Sequence, residues 1–310
     1  MILTRRDFSM LIVAGAPYVG GLMLGGLAPS EAKATPRINS VIDGVQFGLE
    51  PFCYHDLPMN IANRPILIQR MIQNQLGVVE LQNPWVEPNF SGPGVSPQEA
   101  REKMRQWRLT TPPEYFRKIK QEFDDAGISI YTLYDNMFGY SDAEVHATFI
   151  AAKALGAKGV VGSFTISQSK RLAPFPGKYG MFLGLHNHDN LSDPNAYATA
   201  ASLVEGLSFS PDFKVTLDTR HFTAANQDCI AFMEKHHDRM DAVHLGDRRR
   251  NNGQSTPFGQ GDAPLIEILW MIRDNHWPIV VLLEFEQGTL LTGVQEVQVC
   301  YDYCKRALEY

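Results

Sequence analysis

The chain has 310 residues, 44% hydrophobic and 20% charged, with a formal net charge of −6 and a pI near 5.8. That composition suits a globular protein with room for one large α/β domain or two small ones. The acid excess excludes a surface built on a basic stripe for nucleic-acid phosphates, so no nucleic-acid partner is expected and small-molecule chemistry comes first.

In chain order, the first feature is "TRRDFSMLIVAG", which sets Arg5 and Arg6 directly before an apolar, Gly-rich stretch reaching Leu27. "EAKA" then offers a small-x-small cleavage site, with the cut expected after Ala34. Gly20, Gly21, Gly25 and Gly26 keep the stretch weakly hydrophobic and barely long enough to span a bilayer, which weighs against a membrane anchor. Residues 1–34 resemble a twin-arginine (Tat) signal peptide. The resemblance implies passage through the Tat machinery, a periplasmic or otherwise exported location, and a mature protein that is not integral to the membrane. That pathway is known for carrying proteins already folded, often with a cofactor inside. Fold reasoning therefore starts at residue 35, and 35–310 is read as one domain.

Strands are predicted at 46–52, 77–82, 128–134, 159–164, 181–185, 213–219, 241–247 and 278–286, from short β-branched or apolar runs. Helices are predicted between them near 63–76, 112–126, 141–156, 195–207, 225–236, 263–275 and 291–308, punctuated by signals such as "TPPEYF", "SDAEV", "DAGI" and "ALGA". The connector 165–180 contains "APFPG" and holds at most a short helix. A strand-helix unit repeated eight times with no G-x-G-x-x-G turn predicts a single (β/α)8 TIM barrel rather than a doubly wound sheet. Two insertions, 83–111 and 247–262, follow the carboxyl ends of the second and seventh strands, where barrel enzymes build their sites. Cys53, Cys229, Cys300 and Cys304 show no C-x-x-C pair and are expected to be buried free thiols.

If the barrel closes, its carboxyl-end mouth collects His186 and His188 after strand five, Asp218 and His221 after strand six, His244 and Asp247 after strand seven, and Glu284 and Glu286 on strand eight. Two His, one Asp and one Glu from four successive strands suit one divalent ion, Mn²⁺, Zn²⁺, Co²⁺ or Mg²⁺, with positions left for substrate oxygens. Glu50, Tyr54, His55 and Glu80 end the first two strands and are candidate polyol contacts. Trp85 and Trp107 in the long second loop are set either to stack on a sugar face or to pack the loop onto the barrel. Asp247 and Arg248 are expected to orient or neutralise the site.

The order "LHNH", "LDTRH", "VHLGDRRR…PFGQGD" and "LLEFE" closely resembles the xylose isomerase-like superfamily of sugar phosphate isomerases and epimerases, over nearly all of the chain after residue 34. The resemblance implies a metal held by His186, Asp218, His244 and Glu284, with His188 and His221 touching substrate. Glu284 is preferred over Glu286, which a strand places on the same face. It also implies a sugar isomerase or epimerase that removes a proton next to a carbonyl through a metal-stabilised enediolate, with Glu284 as base and His188 or His221 as acid. The chain departs from the pattern at His186, where the epimerase branch carries a second glutamate base. One carboxylate base and an imidazole acid suit a lyase or dehydratase acting on a 3-keto-glycoside or inosose as the close alternative. A non-catalytic periplasmic sugar-binding barrel is the third reading, and a homo-oligomer stays open.

Overall fold

In the computed structural model, which describes residues 36–285 and 290–309, all eight predicted runs are strands. The Tat-like segment with its cut after Ala34, and Glu286, lie outside the described residues. The strands are β1 (Val45–Leu49), β2 (Val78–Gln82), β3 (Ser129–Tyr134), β4 (Gly159–Gly162), β5 (Phe182–His186), β6 (Phe213–Asp218), β7 (Met240–Leu245) and β8 (Val280–Leu283). Each lies parallel to the next; β8 joins β1 through Val281 and Phe47, and β1 joins β2 through Leu49 and Val79, so the sheet closes. The α/β TIM barrel expected from the strand-helix repeat is the observed fold.

The helices are α1 (Arg64–Gln73), α2 (Pro97–Thr110), α3 (Pro113–Asp125), α4 (Asp142–Ala154), α5 (Ile166–Leu172), α6 (Pro176–Tyr179), α7 (Ala200–Leu207), α8 (Thr219–Ala224), α9 (Cys229–His236), α10 (Leu265–Asp274) and α11 (Gly293–Leu308). Local chemistry sets several starts. Ser141 and Glu144 form a reciprocal capping box at α4, and Thr292 and Gln295 do the same at α11.

Three stretches differ from expectation. The insertion 83–111 is not all loop: Ser96 accepts a hydrogen bond from the Glu99 amide and starts α2, which buries none of its residues and so carried no apolar period in the sequence. The connector 165–180 holds two short helices, α5 and α6. Residues 219–224 wind into α8 directly after β6, because the Asp218 carboxylate accepts from the Arg220 and His221 amides.

The apolar core sits in two places. A large cluster fills the space between barrel and helices, with Phe47, Leu81, Phe123, Phe149, Leu185, Phe222 and Val281 all buried. A second, small cluster of Ala242, Val280 and Leu282 is backed by Val78 and Tyr131. The inward-alternating polar residues are paired: Thr132 donates to Glu80 at 2.7 Å, and Thr216 donates to Asp241 at 2.9 Å. The four cysteines are buried and free. No helix among the described residues is long and apolar enough to cross a membrane.

Candidate active site

A register shift between Val215 and Thr216 brings Asp218 level with His244 across β6 and β7, while Leu282 pairs with His244 across β8 and β7. Asn187 locks the neighbouring strand end by donating to the Asp218 carbonyl at 3.0 Å and accepting from its amide at 2.8 Å. His186 and His188, on either side of Asn187, are thereby held next to β6. The result is a buried group of His186, Asp218, His244 and Glu284 whose ligand-type atoms all lie within 4.8 Å of one another. It opens into a pocket of about 150 Å³ lined by Glu50, Phe52, Gln82, Tyr134, His188 and His221 besides three of those four.

Each member of the group is 6% exposed or less, so its charge must be met from within the protein. Arg220, 1% exposed, reaches Asp218 Oδ2 at 2.8 Å and Glu284 Oε1 at 2.7 Å. Burial alone would raise both carboxyl pKa values. The Arg220 guanidinium overrides it, holding Asp218 well below the usual carboxylate range and Glu284 down to about 2. His244 lies 2.9 Å from both Glu80 and Glu284; burial opposes its charge, but these two carboxylates raise its pKa well above the ordinary histidine value.

His186 is pushed down by burial, and His188 is pushed down to about 3 by burial and its two neighbouring imidazoles, so His188 is neutral. Ser163 joins them, 2.6 Å from His188 Nε2, 3.2 Å from His186 Nδ1 and 2.5 Å from the Tyr134 hydroxyl. His221 Nδ1 lies 3.2 Å from both Asp189 and Arg248, and Arg248 in turn lies 2.8 Å from Asp189. Burial opposes protonation of His221, but Asp218 and Asp189 raise its pKa.

The donor set fits a divalent cation. Buried His186 Nε2 has no hydrogen bond of good geometry, and His244 Nδ1 faces Glu284 Oε2 at 2.9 Å, so a cation would take the place of the imidazole proton between those two. Mixed imidazole and carboxylate donors suit Mn²⁺, Zn²⁺ or Co²⁺. A cation there would share the Asp218 and Glu284 carboxylates with Arg220.

The other expected site residues divide. Arg248 stands behind His221, whose ring lines the pocket. Asp247 faces its own loop, accepting from the Gly261 and Ala263 amides at 2.8 and 3.1 Å. Glu80 does not reach substrate space; it lies buried behind His244. His55 is drawn away by Glu296 of α11 at 2.8 Å, and Tyr54 is buried with its hydroxyl on Asn74. Trp85 is fully buried, and half-buried Trp107 packs at near-right angles against Tyr115 and Phe116, so both indoles pack the loop onto the barrel. Sequence reasoning missed Arg220, Ser163, Gln82 and Tyr134. The last three end β2, β3 and β4 or follow them directly, so strand-end position was the available signal; Arg220 had none beyond its place inside "LDTRH".

A family model described as xylose isomerase-like TIM barrel matches residues 97–299. No curated protein matches the chain by sequence. Among solved structures, L-ribulose 3-epimerase superposes with a TM-score of 0.61 at 12% identity, over 86% of this chain and 95% of that one. The IOLI protein with a bound zinc atom gives 0.61 at 13% identity over 86% and 98%. The probable 3-DHS dehydratase AsbF of Bacillus anthracis gives 0.59 at 13% over 83% and 98%. At these identities the likeness is one of fold, but the family model spans well over half of the chain: it belongs to the xylose isomerase-like TIM barrel family.

Proposed function

We propose that this protein is an exported, divalent-metal-dependent enzyme that removes a proton next to a carbonyl of a sugar, cyclitol or keto-sugar. One observation carries the reading: four buried ligand-type side chains from four successive strands converge at the floor of a small polar pocket. His186, Asp218, His244 and Glu284 would hold the ion, which when bound would polarise the substrate carbonyl and favour the enolate-like state.

The remaining work falls to the protein's own groups. Glu284 is kept ionised by Arg220 and so is able to accept a proton from carbon. His221, held between Asp189 and Arg248 on the wall, returns a proton to carbon or to a departing oxygen. His188, neutral and tied to Ser163, orients a substrate hydroxyl. Glu50 and Gln82, bonded to each other, present further polar atoms to the polyol. The zinc in the IOLI structure and the sugar named for the epimerase support the ion and the substrate class.

A second reading, elimination from a keto-glycoside or inosose, is favoured by His186. Where a two-base epimerase would use a second carboxylate, this chain has an imidazole whose Nε2 faces the cluster. The same pocket then works with one base and one acid, and the dehydratase among the fold neighbours is in keeping with it.

Metal content by mass spectrometry on the purified protein tests the proposal. Wild type should carry about one divalent ion per chain, and Asp218→Ala and His186→Ala should each lose it. Folded wild type that takes up no Mn²⁺, Co²⁺ or Zn²⁺ would overturn the metal mechanism and leave a sugar-binding barrel.

A further inference from the structure

The small polar pocket is the inner end of a longer depression. It shares Gln82 and Tyr134 with a neighbouring cavity of about 310 Å³, which in turn shares Met59, Asn83 and Pro84 with an outer cavity of about 800 Å³ beneath α2. The three therefore form one trough running from the His186–Glu284 cluster out under the inserted helix.

The outer part is lined by Met59, Ile61, Ala62, Pro84, Pro88 and Met104, and its two charged groups, Arg108 and Glu87, pair with each other. Arg108 pairs with Glu87 at 2.7 Å and lies over the Tyr140 ring at 4.0 Å. Asn60 accepts from the Asn63 amide at 3.0 Å and Asn89 from the Ser91 amide at 2.8 Å. Among the described lining residues the two opposite charges answer each other, so a charged ligand would find no unpaired charge, whereas an apolar group would displace water from a largely apolar wall.

The walls are also braced. Arg101 of α2 donates to the Gly139 carbonyl, Arg108 reaches Glu144 at 3.5 Å, and the Tyr115 hydroxyl donates to the Val86 carbonyl at 2.9 Å. A trough held from both sides costs little to order on binding.

We infer that the ring over the His186–Glu284 cluster carries an uncharged, apolar aglycone, aryl or alkyl, that lies in the trough beneath α2; the carbonyl that the chemistry needs is then a ketone of the ring itself. This rests on the keto-glycoside reading of the inner pocket. It adds that Met59, Pro84 and Met104 select for what the sugar is attached to, and that chemistry at the ring proceeds with the substituent already anchored.

The test is calorimetric titration of Mn²⁺-treated and chelator-stripped protein with matched methyl and phenyl β-glycosides of glucose, galactose and xylose, and with cellobiose. Wild type should bind one phenyl glycoside at least about tenfold tighter than its methyl partner, as burial of an aromatic ring predicts. Met104→Trp, at a half-buried position, and Ala62→Phe, at an exposed one, both fill the trough and should erase that difference while leaving the methyl glycoside's affinity unchanged. Equal affinities, no phenyl binding to metal-loaded protein, or cellobiose binding better than any phenyl glycoside would each overturn the apolar aglycone. The metal reading fails separately: phenyl preference without any bound ion keeps the trough and discards the metal, and a bound ion without phenyl preference does the reverse.

Discussion

Arg220 shows how one residue can govern a buried site. Its guanidinium pairs with both Asp218 and Glu284, so the metal-free protein is spared two unpaired carboxylates in a dry interior. Gly246 makes room for it: a Cβ at that position would collide with the Arg220 side chain and the Glu284 carbonyl. Arg220→Met should cost the metal-free protein about 3–5 kcal/mol, the usual penalty for breaking a buried pair. Added Mn²⁺ should restore more melting temperature in the variant than in wild type, because the ion then replaces the lost charge. Equal melting temperatures for the two metal-free proteins would show that Arg220 is not the neutralising group. His186, Asp218, His244 and Glu284 were legible from strand-end position and family pattern together. Arg220 was not, because an arginine after a strand is ordinarily solvated and only the turn of α8 swings it inward.

Among the elements, α2 departs furthest from expectation. Its capping signal, Ser96 followed by Glu99, stood in the sequence, but a helix with no buried face leaves no periodic trace. What holds it down is lateral: Arg101, Arg108 and the Trp107 contacts with Tyr115 and Phe116. Trp107→Ala should therefore lower stability by about 3 kcal/mol through lost packing. Its effect on affinity for a methyl glycoside should be small, which calorimetry checks; a large loss would restore the indole to the sugar site. His55 teaches the same lesson at the other end of the chain. It follows β1 as a site residue would, yet α11 packs beside it and offers Glu296, a buried carboxylate that captures the imidazole first.

At the scale of the whole barrel, the interior below the site carries its own titrating group. Asp241 is buried, accepts one hydrogen bond from Thr216, and burial raises its pKa to about 7 from the ordinary 3.8. The folded protein thus keeps a proton on Asp241 that the unfolded chain releases near pH 4. Stability from this group is full below that range and is lost as pH rises through 7. Asp218 and Glu284 act with the opposite sign: their pKa values are lowered, so their contribution is present above the usual carboxylate range and is lost as pH falls. Asp241→Asn isolates the first effect. Urea unfolding should show it more stable than wild type by several kcal/mol at pH 8, with the gap shrinking towards pH 5. A gap independent of pH would mean that Asp241 is ionised throughout.

Hydrophobic periodicity by itself determined the eight strands, most of the helices and hence the barrel, because β-branched runs and 3.6-residue stripes are local consequences of which face is buried. The strand-end positions of the candidate ligands came with that pattern, since a parallel barrel sends every carboxyl end to one mouth. Only the tertiary structure decided which of the polar residues at that mouth meet. Asp218 and His244 meet through a register shift, Arg220 enters through the first turn of α8, and His55 and Glu80 are claimed by partners distant in the chain. Such pairings depend on contacts between segments far apart in sequence. A buried charge takes whichever partner the packing places within reach, and no local pattern records that choice.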